Sequence, residues 1–251
     1  MTKLAEKQRL QEEQYIFPYH YLDLASDYQK LLWSIEYLNL LALVKKTLSP
    51  FNKQWILDAG CGDGRLCYEL KKENCKIVGV DFSEKAISFA RAFNPEVRFF
   101  VQDIEQLNIP MKFDVVVLME ALEHFIPSKI PIILSKLSNH LKENGKLIIT
   151  VPSKNRPLIK KHYQHFSAES LMEAIKPYFR VMKIDGYGKI GPSRKIFNFL
   201  RKIGYLVFPF RNKIDLARKF FIFLGDYYKK NLSTGKPQEC SGLIAVCVKN
   251  R

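Results

Sequence analysis

Two rhythms of hydrophobic positions alternate along this chain. Short, nearly continuous apolar runs give way to longer stretches where apolar residues recur every three or four positions. The first run, Trp55-Ile56-Leu57, is closed by Asp58 and followed by three glycines in five positions, Gly60, Gly62 and Gly64. Helical spacing resumes at Leu66 and continues to residue 73. This predicts a strand, a tight turn and a helix, the opening of a βαβ unit. Residues 76–81 predict a second strand ending in Asp81, and Ser83 is a good N-cap for a helix through residue 93. Residues 97–101 alternate as a third strand. Residues 113–119 are apolar almost throughout, as expected of a central parallel strand covered on both faces. A turn at Glu143-Asn144-Gly145 leads into a fifth strand ending at Pro152. A helix over 167–176 and strands at 179–184 and 242–248 complete the pattern. The expected fold is α/β and Rossmann-like, with helices on both faces of the sheet.

Residues 1–50 precede the first strand. Residues 1–14 are charged and helical in pattern, without a signal-peptide core. Residues 15–21 are dense in aromatics, and 23–48 predict one long amphipathic helix or two shorter ones, ended at Ser49-Pro50. The longest apolar stretch, 31–44, contains Ser34, Glu36 and Asn39 and is too short to span a bilayer. The expected organisation is a helical lid segment, 1–50, before a single domain over 51–251.

Composition adds three constraints. With 251 residues, 47% of them hydrophobic, the chain can bury one full-sized core. Cys61, Cys67, Cys75, Cys240 and Cys247 show neither zinc-type pairing nor an even framework, so they are expected as reduced thiols in a cytoplasmic protein. The formal net charge is +15, and it is unevenly placed: residues 186–240 carry 12 Lys and Arg against 3 Asp and Glu. Such a block suits an anionic partner, nucleic acid or membrane.

The glycine turn has the spacing Asp58-x-Gly60-x-Gly62-x-Gly64. A carboxylate just before the first glycine would repel a phosphate but suits an ammonium group. Asp81, at the tip of the second strand, is well placed to accept hydrogen bonds from both ribose hydroxyls of an adenosine. The pattern closely resembles motif I of the class I S-adenosylmethionine (SAM)-dependent methyltransferases. The resemblance covers roughly residues 54–185 plus the final strand and implies a seven-stranded sheet. It also implies that SAM sits against Asp58, Gly60, Cys61 and Gly62, with its ribose on Asp81 and its adenine between Phe82, Asp103 and the Ile104 amide. Met119 would close the cofactor site at the end of the fourth strand.

Catalytic residues are expected where that strand ends. Glu120, Glu123 and His124 are spaced i, i+3, i+4 and would share one face of a helical turn. Two carboxylates and an imidazole can hold a divalent cation such as Mg²⁺ with open positions. Such a cation lowers the pKa of a coordinated hydroxyl. The Glu-x-x-Glu-His motif resembles two branches of the family. One is the ubiquinone-biosynthesis O-methyltransferases, which act on catechol-type hydroxyls of a prenylated ring. The other is the small-RNA 3′-end 2′-O-methyltransferases, in which Glu, Glu, His and a later His bind a metal. His162 has the better offset for that later His, and His165 is the alternative. Without a metal, His124 beside Glu123 is a general base or orders its loop, and Glu120 bonds amides at a helix start. His140 reads as a surface residue.

Two segments stay open at this level. Tyr19, His20 and Tyr21 either face the sulfonium and substrate or staple the helix after them to the sheet. The insertion at 186–240 suggests three roles: a peripheral membrane contact through 195–230 that collects a lipid-linked acceptor, a single-stranded RNA surface, or a cap over the active site. The expected function is SAM-dependent O-methylation of a small-molecule or lipid-linked hydroxyl. The alternatives are RNA ribose 2′-O-methylation and a non-catalytic SAM-fold binding protein.

Overall fold

The computed structural model describes residues 6–24, 28–207 and 215–250. The apolar runs form the strands β1 (Gln54–Ala59), β2 (Cys75–Asp81), β3 (Arg98–Val101), β4 (Phe113–Met119) and β5 (Leu141–Pro152), all parallel. Three more, β6 (Phe179–Lys189), β7 (Thr234–Gly235) and β8 (Cys240–Lys249), join antiparallel. The order across the sheet is β3-β2-β1-β4-β5-β8-β6-β7. The sheet therefore has eight strands, not the seven expected. The additional one, β7, is two residues long and pairs Gly235 with Gly186 and Thr234 with Tyr187. Two residues carry no periodicity, so no hydrophobic pattern could announce it. The last strand expected from the pattern is β8.

Successive residues of a strand face opposite sides, and β4 shows this plainly. Val116 and Leu118 pack with Leu57, Val80 and Ile149 under α5 (Ile130–His140) and α6 (Ala168–Ile175). Val115 and Val117 pack with Ile56 and Ile148 under α2 (Tyr28–Leu48), α3 (Arg65–Leu70) and α4 (Glu84–Phe93). Both faces are covered, which is why β4 reads as one unbroken apolar run. Ser83 caps α4 by accepting from the Ala86 amide, and Ser167 with Ser170 forms a capping box on α6. His140 is buried rather than at the surface. Its Nδ1–H donates to the Lys136 carbonyl at 2.7 Å, and its Nε2 accepts from the Ile109 amide at 3.1 Å.

The residues before β1 form α1 (Glu6–Glu12), a single 3₁₀ turn at Tyr19–Tyr21, and α2 as one helix. The insertion folds as two helices, α7 (Pro192–Val207) and α8 (Asp215–Asn231). Phe197, Phe221, Leu224 and Tyr228 build a third apolar cluster on Leu32 and Ile35 of α2. Glu36 of α2 pairs with Arg194 at 2.8 Å and Arg201 at 3.4 Å. Part of the segment expected to meet a membrane, 208–214, lies outside the described residues. Among those described, no helix is long and apolar enough to cross a membrane. The parallel strands β1, β2, β4 and β5 all end at one edge of the sheet, where Ala59 pairs with Leu118 and Met119 with Thr150.

Candidate active site

Beyond Ala59 the backbone takes positive φ at Gly60 and Gly62, +75° and +53°, a conformation that glycine adopts without strain. A Cβ on Gly60 would also come within 3.0 Å of the Ala121 Cβ. The turn is tied to β2 by backbone bonds: the Gly60 and Cys61 amides donate to the Val80 carbonyl at 2.8 and 2.9 Å. The Gly62 amide donates to Asp81 Oδ2 at 2.9 Å, and the Ser83 amide donates to Oδ1 at the same distance. The glycine turn and the acid nineteen residues later are thus in direct contact. Burial pushes the Asp81 carboxyl up to about 6, against the pull of those two amides. Asp58 is buried beneath the turn, with the Cys67 thiol 3.6 Å away, and burial pushes it up to about 7. A cation brought against either carboxyl would favour its charged form.

Asp58, Gly60, Cys61, Gly62, Asp81, Phe82, Asp103, Ile104 and Met119 all line one cleft of about 1370 Å³, a volume that includes space open to solvent. Asp103 caps the 3₁₀ turn Ile104–Gln106 through Oδ1, which accepts from the Glu105 amide. Its Oδ2 accepts from Gln8 Nε2 of α1 at 3.3 Å.

Tyr15, which sequence reasoning passes over, lies closest to the turn: its hydroxyl is 2.6 Å from where a Cβ on Gly62 would stand. Tyr15 stacks on Tyr19 with ring centroids 5.5 Å apart. Tyr19 and His20 line the cleft. Tyr21 is a buried staple, stacked on Phe93 at 4.0 Å and accepting from Asn94 Nδ2. His20 Nδ1 meets Asp63 Oδ1 at 2.9 Å, and its ring stacks on Tyr37. Arg65, buried at the start of α3, donates to Asp23, Glu69 and the His20 carbonyl. Arg65 and Asp63 therefore fasten the segment before α2 over the cleft. The signal is present in Asp63-Gly64-Arg65, but nothing local says which distant groups these charges meet.

At the other end of the cleft, β4 stops and Glu120 takes a positive φ of +49°, a strained conformation for a residue with a side chain. The chain then makes a 3₁₀ turn at Leu122–His124 instead of an α turn. Glu120 therefore does not join Glu123 and His124. Its carboxylate accepts from the Tyr187 hydroxyl of β6, and Arg156 stands 4.0 Å away. Glu123, His124 and His162 do come together, with one ligand atom from each within 4.8 Å of the others. Glu123 is 1% exposed, and among the described residues its Oε2 has no hydrogen-bond partner. Burial, and after it the charge of Glu120, hold its carboxyl well above the usual range.

The hydrogen bonds behind this cluster set the tautomers. His124 Nδ1 faces the Lys161 carbonyl at 3.2 Å and must donate, which leaves Nε2 bare, 3.9 Å from Glu123 Oε1. His165 Nδ1 donates to the Arg156 carbonyl at 3.0 Å, so its Nε2 accepts from His162 Nδ1 at 2.8 Å. His162 Nε2 is then bare as well. Burial lowers His124 to about 4 and His162 to about 3, with nearby Lys161 acting the same way on both. Two bare imidazole nitrogens thus stand beside a carboxyl that burial holds toward its protonated form, the chemistry of a site that exchanges a proton or takes a cation. His162 stands in the cluster and His165 behind it.

Residues 56–145 match the family described as methyltransferase domain. The match covers about a third of the chain. The matched segment runs from β1 into β5 and contains the glycine turn, Asp81, Asp103, Glu123 and His124, but not His162 or Tyr187. Over 135 residues the chain is 32% identical to a protein of Geobacillus sp. named as a methyltransferase, covering 50% of this chain and 55% of the relative. Over 104 residues it is 28% identical to the ubiquinone biosynthesis O-methyltransferase of Bradyrhizobium diazoefficiens, covering 40% of each. The chain spans about half the length of the curated relatives it matches. In fold it is similar to the N-methyltransferase NodS of Bradyrhizobium japonicum, solved with S-adenosyl-L-homocysteine. There the TM-score is 0.63 at 13% identity, covering 98% of this chain and 100% of NodS. The [4+2]-cyclase SpnF shares the fold with a TM-score of 0.55 at 18% identity, covering 84% of this chain and 80% of that one. The fold thus extends over the whole chain, while NodS and SpnF carry different chemistries on it.

Proposed function

We infer that the protein is a SAM-dependent methyltransferase acting on an oxygen of a small-molecule or lipid-linked acceptor. The observation that carries this reading is the Gly62–Asp81 hydrogen bond, which joins the glycine turn to the acid at the mouth of a cleft that also holds the bare Nε2 of His124. The residues fit the cofactor. Asp81 keeps acceptor capacity for two ribose hydroxyls, Asp103 Oδ2 already accepts from an amide of the kind that adenine's amino group would replace, and Asp58 stands below the place for an ammonium. SAM supplies, when bound, a methyl group on a sulfonium leaving group. The chain's own task is alignment and deprotonation. His124 takes the acceptor's proton at Nε2, while its Nδ1–H stays fixed on the Lys161 carbonyl. Glu123 stands beside it in a water-poor corner, and its ionised form would stabilise the imidazolium that results.

A second reading, in which a divalent cation aids that deprotonation, is favoured by one observation: Glu123, buried with one carboxyl oxygen unpartnered among the described residues, brings a ligand atom within 4.8 Å of those of His124 and His162. Glu123, His124 and His162 would hold the ion and acidify a coordinated hydroxyl. Calorimetric titration with S-adenosyl-L-homocysteine, then transfer of label from methyl-tritiated SAM to catechols with short prenyl tails, tests the first reading. No binding by the native protein sinks it. Manganese(II) binding followed by electron paramagnetic resonance tests the second, which fails if the native protein and Glu123→Ala bind alike.

A further inference from the structure

The α7–α8 hairpin has more apolar surface than its fold uses. Its inward face is accounted for by Phe197, Phe221, Leu224 and Tyr228 on Leu32 and Ile35 of α2. Its outward face is also apolar. On α7, Ile196, Phe199 and Leu206 are 50%, 64% and 75% exposed. At i, i+3 and i+10 they lie within one narrow strip of the helix. On α8, Ile222 and Phe223 are half exposed. Large apolar side chains left exposed along two helices packed on each other mark an interaction surface.

Charge says what kind. Arg194 and Arg201, on the α2 side, are taken by Glu36. Among the described residues, Lys195 and Lys202 stay exposed beside the α7 strip, and Lys229 and Lys230 at the end of α8. No ion pair reaches these four among the described residues. Lysine keeps its ammonium in water while its stem lies along apolar surface. An apolar strip bordered by lysines suits a helix lying in the plane of an anionic bilayer. It suits single-stranded RNA less well, because Ile196, Leu206 and Ile222 offer bases nothing to stack on.

We propose that the outward face of α7 and α8 docks the protein on an anionic lipid bilayer, with Ile196, Phe199, Leu206, Ile222 and Phe223 entering the headgroup boundary and the four lysines meeting lipid phosphates. The docking stands independently of the chemistry in the cleft. Its position bears on that chemistry, because α7 begins five residues after Tyr187, whose hydroxyl holds Glu120 at the cleft. A membrane-borne acceptor would arrive beside the active site.

The test is flotation of the full chain with vesicles of phosphatidylcholine alone or with about one third phosphatidylglycerol. A parallel anisotropy titration uses a single-stranded RNA. The native protein is expected to float with the anionic vesicles only, and less so in high salt. Phe199→Asp with Leu206→Asp, and separately Lys195→Glu with Lys202→Glu, are each expected to lower partitioning roughly tenfold or more, with S-adenosyl-L-homocysteine affinity and melting unchanged. The lysine pair lies on the surface and keeps the test decisive if the apolar pair fails to fold. Absence of flotation, equal flotation with neutral vesicles, or flotation undiminished in the lysine variant overturns the proposal. So does RNA binding that the same variants abolish while flotation persists.

Discussion

The two ends of the cleft are built in different ways. The glycine end is backbone: positive-φ turns, amides and a carbonyl, with Asp81 pinned by two N–H donors. The histidine end is side chain: Glu123, His124 and His162 come from two loops, and two carbonyls behind them decide which nitrogens are bare. One end holds its shape because the chain cannot turn otherwise. The other is two bare imidazole nitrogens and a buried carboxyl held by packing. Binding is therefore expected to belong to the first end and proton handling to the second.

The sharpest way to break that division is His124→Ala. Losing a positioned base is expected to lower methyl transfer roughly 10²- to 10⁴-fold, while calorimetry finds S-adenosyl-L-homocysteine affinity nearly intact. If affinity falls as far as rate, the two ends are one unit. The converse is Asp81→Ala, which strips partners from two buried amides and removes the ribose acceptor; affinity is expected to fall roughly 100-fold. Next comes His165, a positioning residue. In His165→Phe, His162 loses the acceptor that keeps its proton on Nδ1, and nitrogen-15 shifts should show that proton no longer fixed there. Methyl transfer is expected to drop about tenfold, with its pH dependence altered. An unchanged His162 tautomer would remove the relay.

The smallest effect concerns Asp58. Buried, it ionises only near pH 7, whereas an unfolded aspartate ionises near 4. Folding stability therefore falls as pH rises between those values, and the loss is complete above 7. Asp58→Asn is expected to melt several degrees above the native protein at pH 8 and level with it at pH 4. Parallel melting curves at both pH values would place the buried charge elsewhere.

The two ends are also unequally legible in the amino-acid sequence. The nine residues expected around SAM line the cleft because they follow strand ends directly, where a two-residue rhythm, a glycine turn and a terminal acid are all local signals. Glu123, His124 and His162 are legible as residue types. Their grouping is not, since it depends on a 3₁₀ turn that sends Glu120 to Tyr187 and on a loop some forty residues later. Tyr15 and Arg65 escape notice because their partners lie far along the chain. His140 reads as exposed because its burial depends on the loop at Ile109, which no helix pattern reveals.

Gln8 on Asp103 and the Tyr15 hydroxyl against Gly62 give the free protein a competitor of its own. A ligand that needs those two places must displace groups that cannot diffuse away, because they are tethered to the same chain. Its measured affinity equals the intrinsic one multiplied by the fraction of molecules in which the tether has swung clear. Loosening the Asp23–Arg65 clasp is expected to raise that fraction, which would let a residue pair away from the turn tune the affinity of whatever binds there.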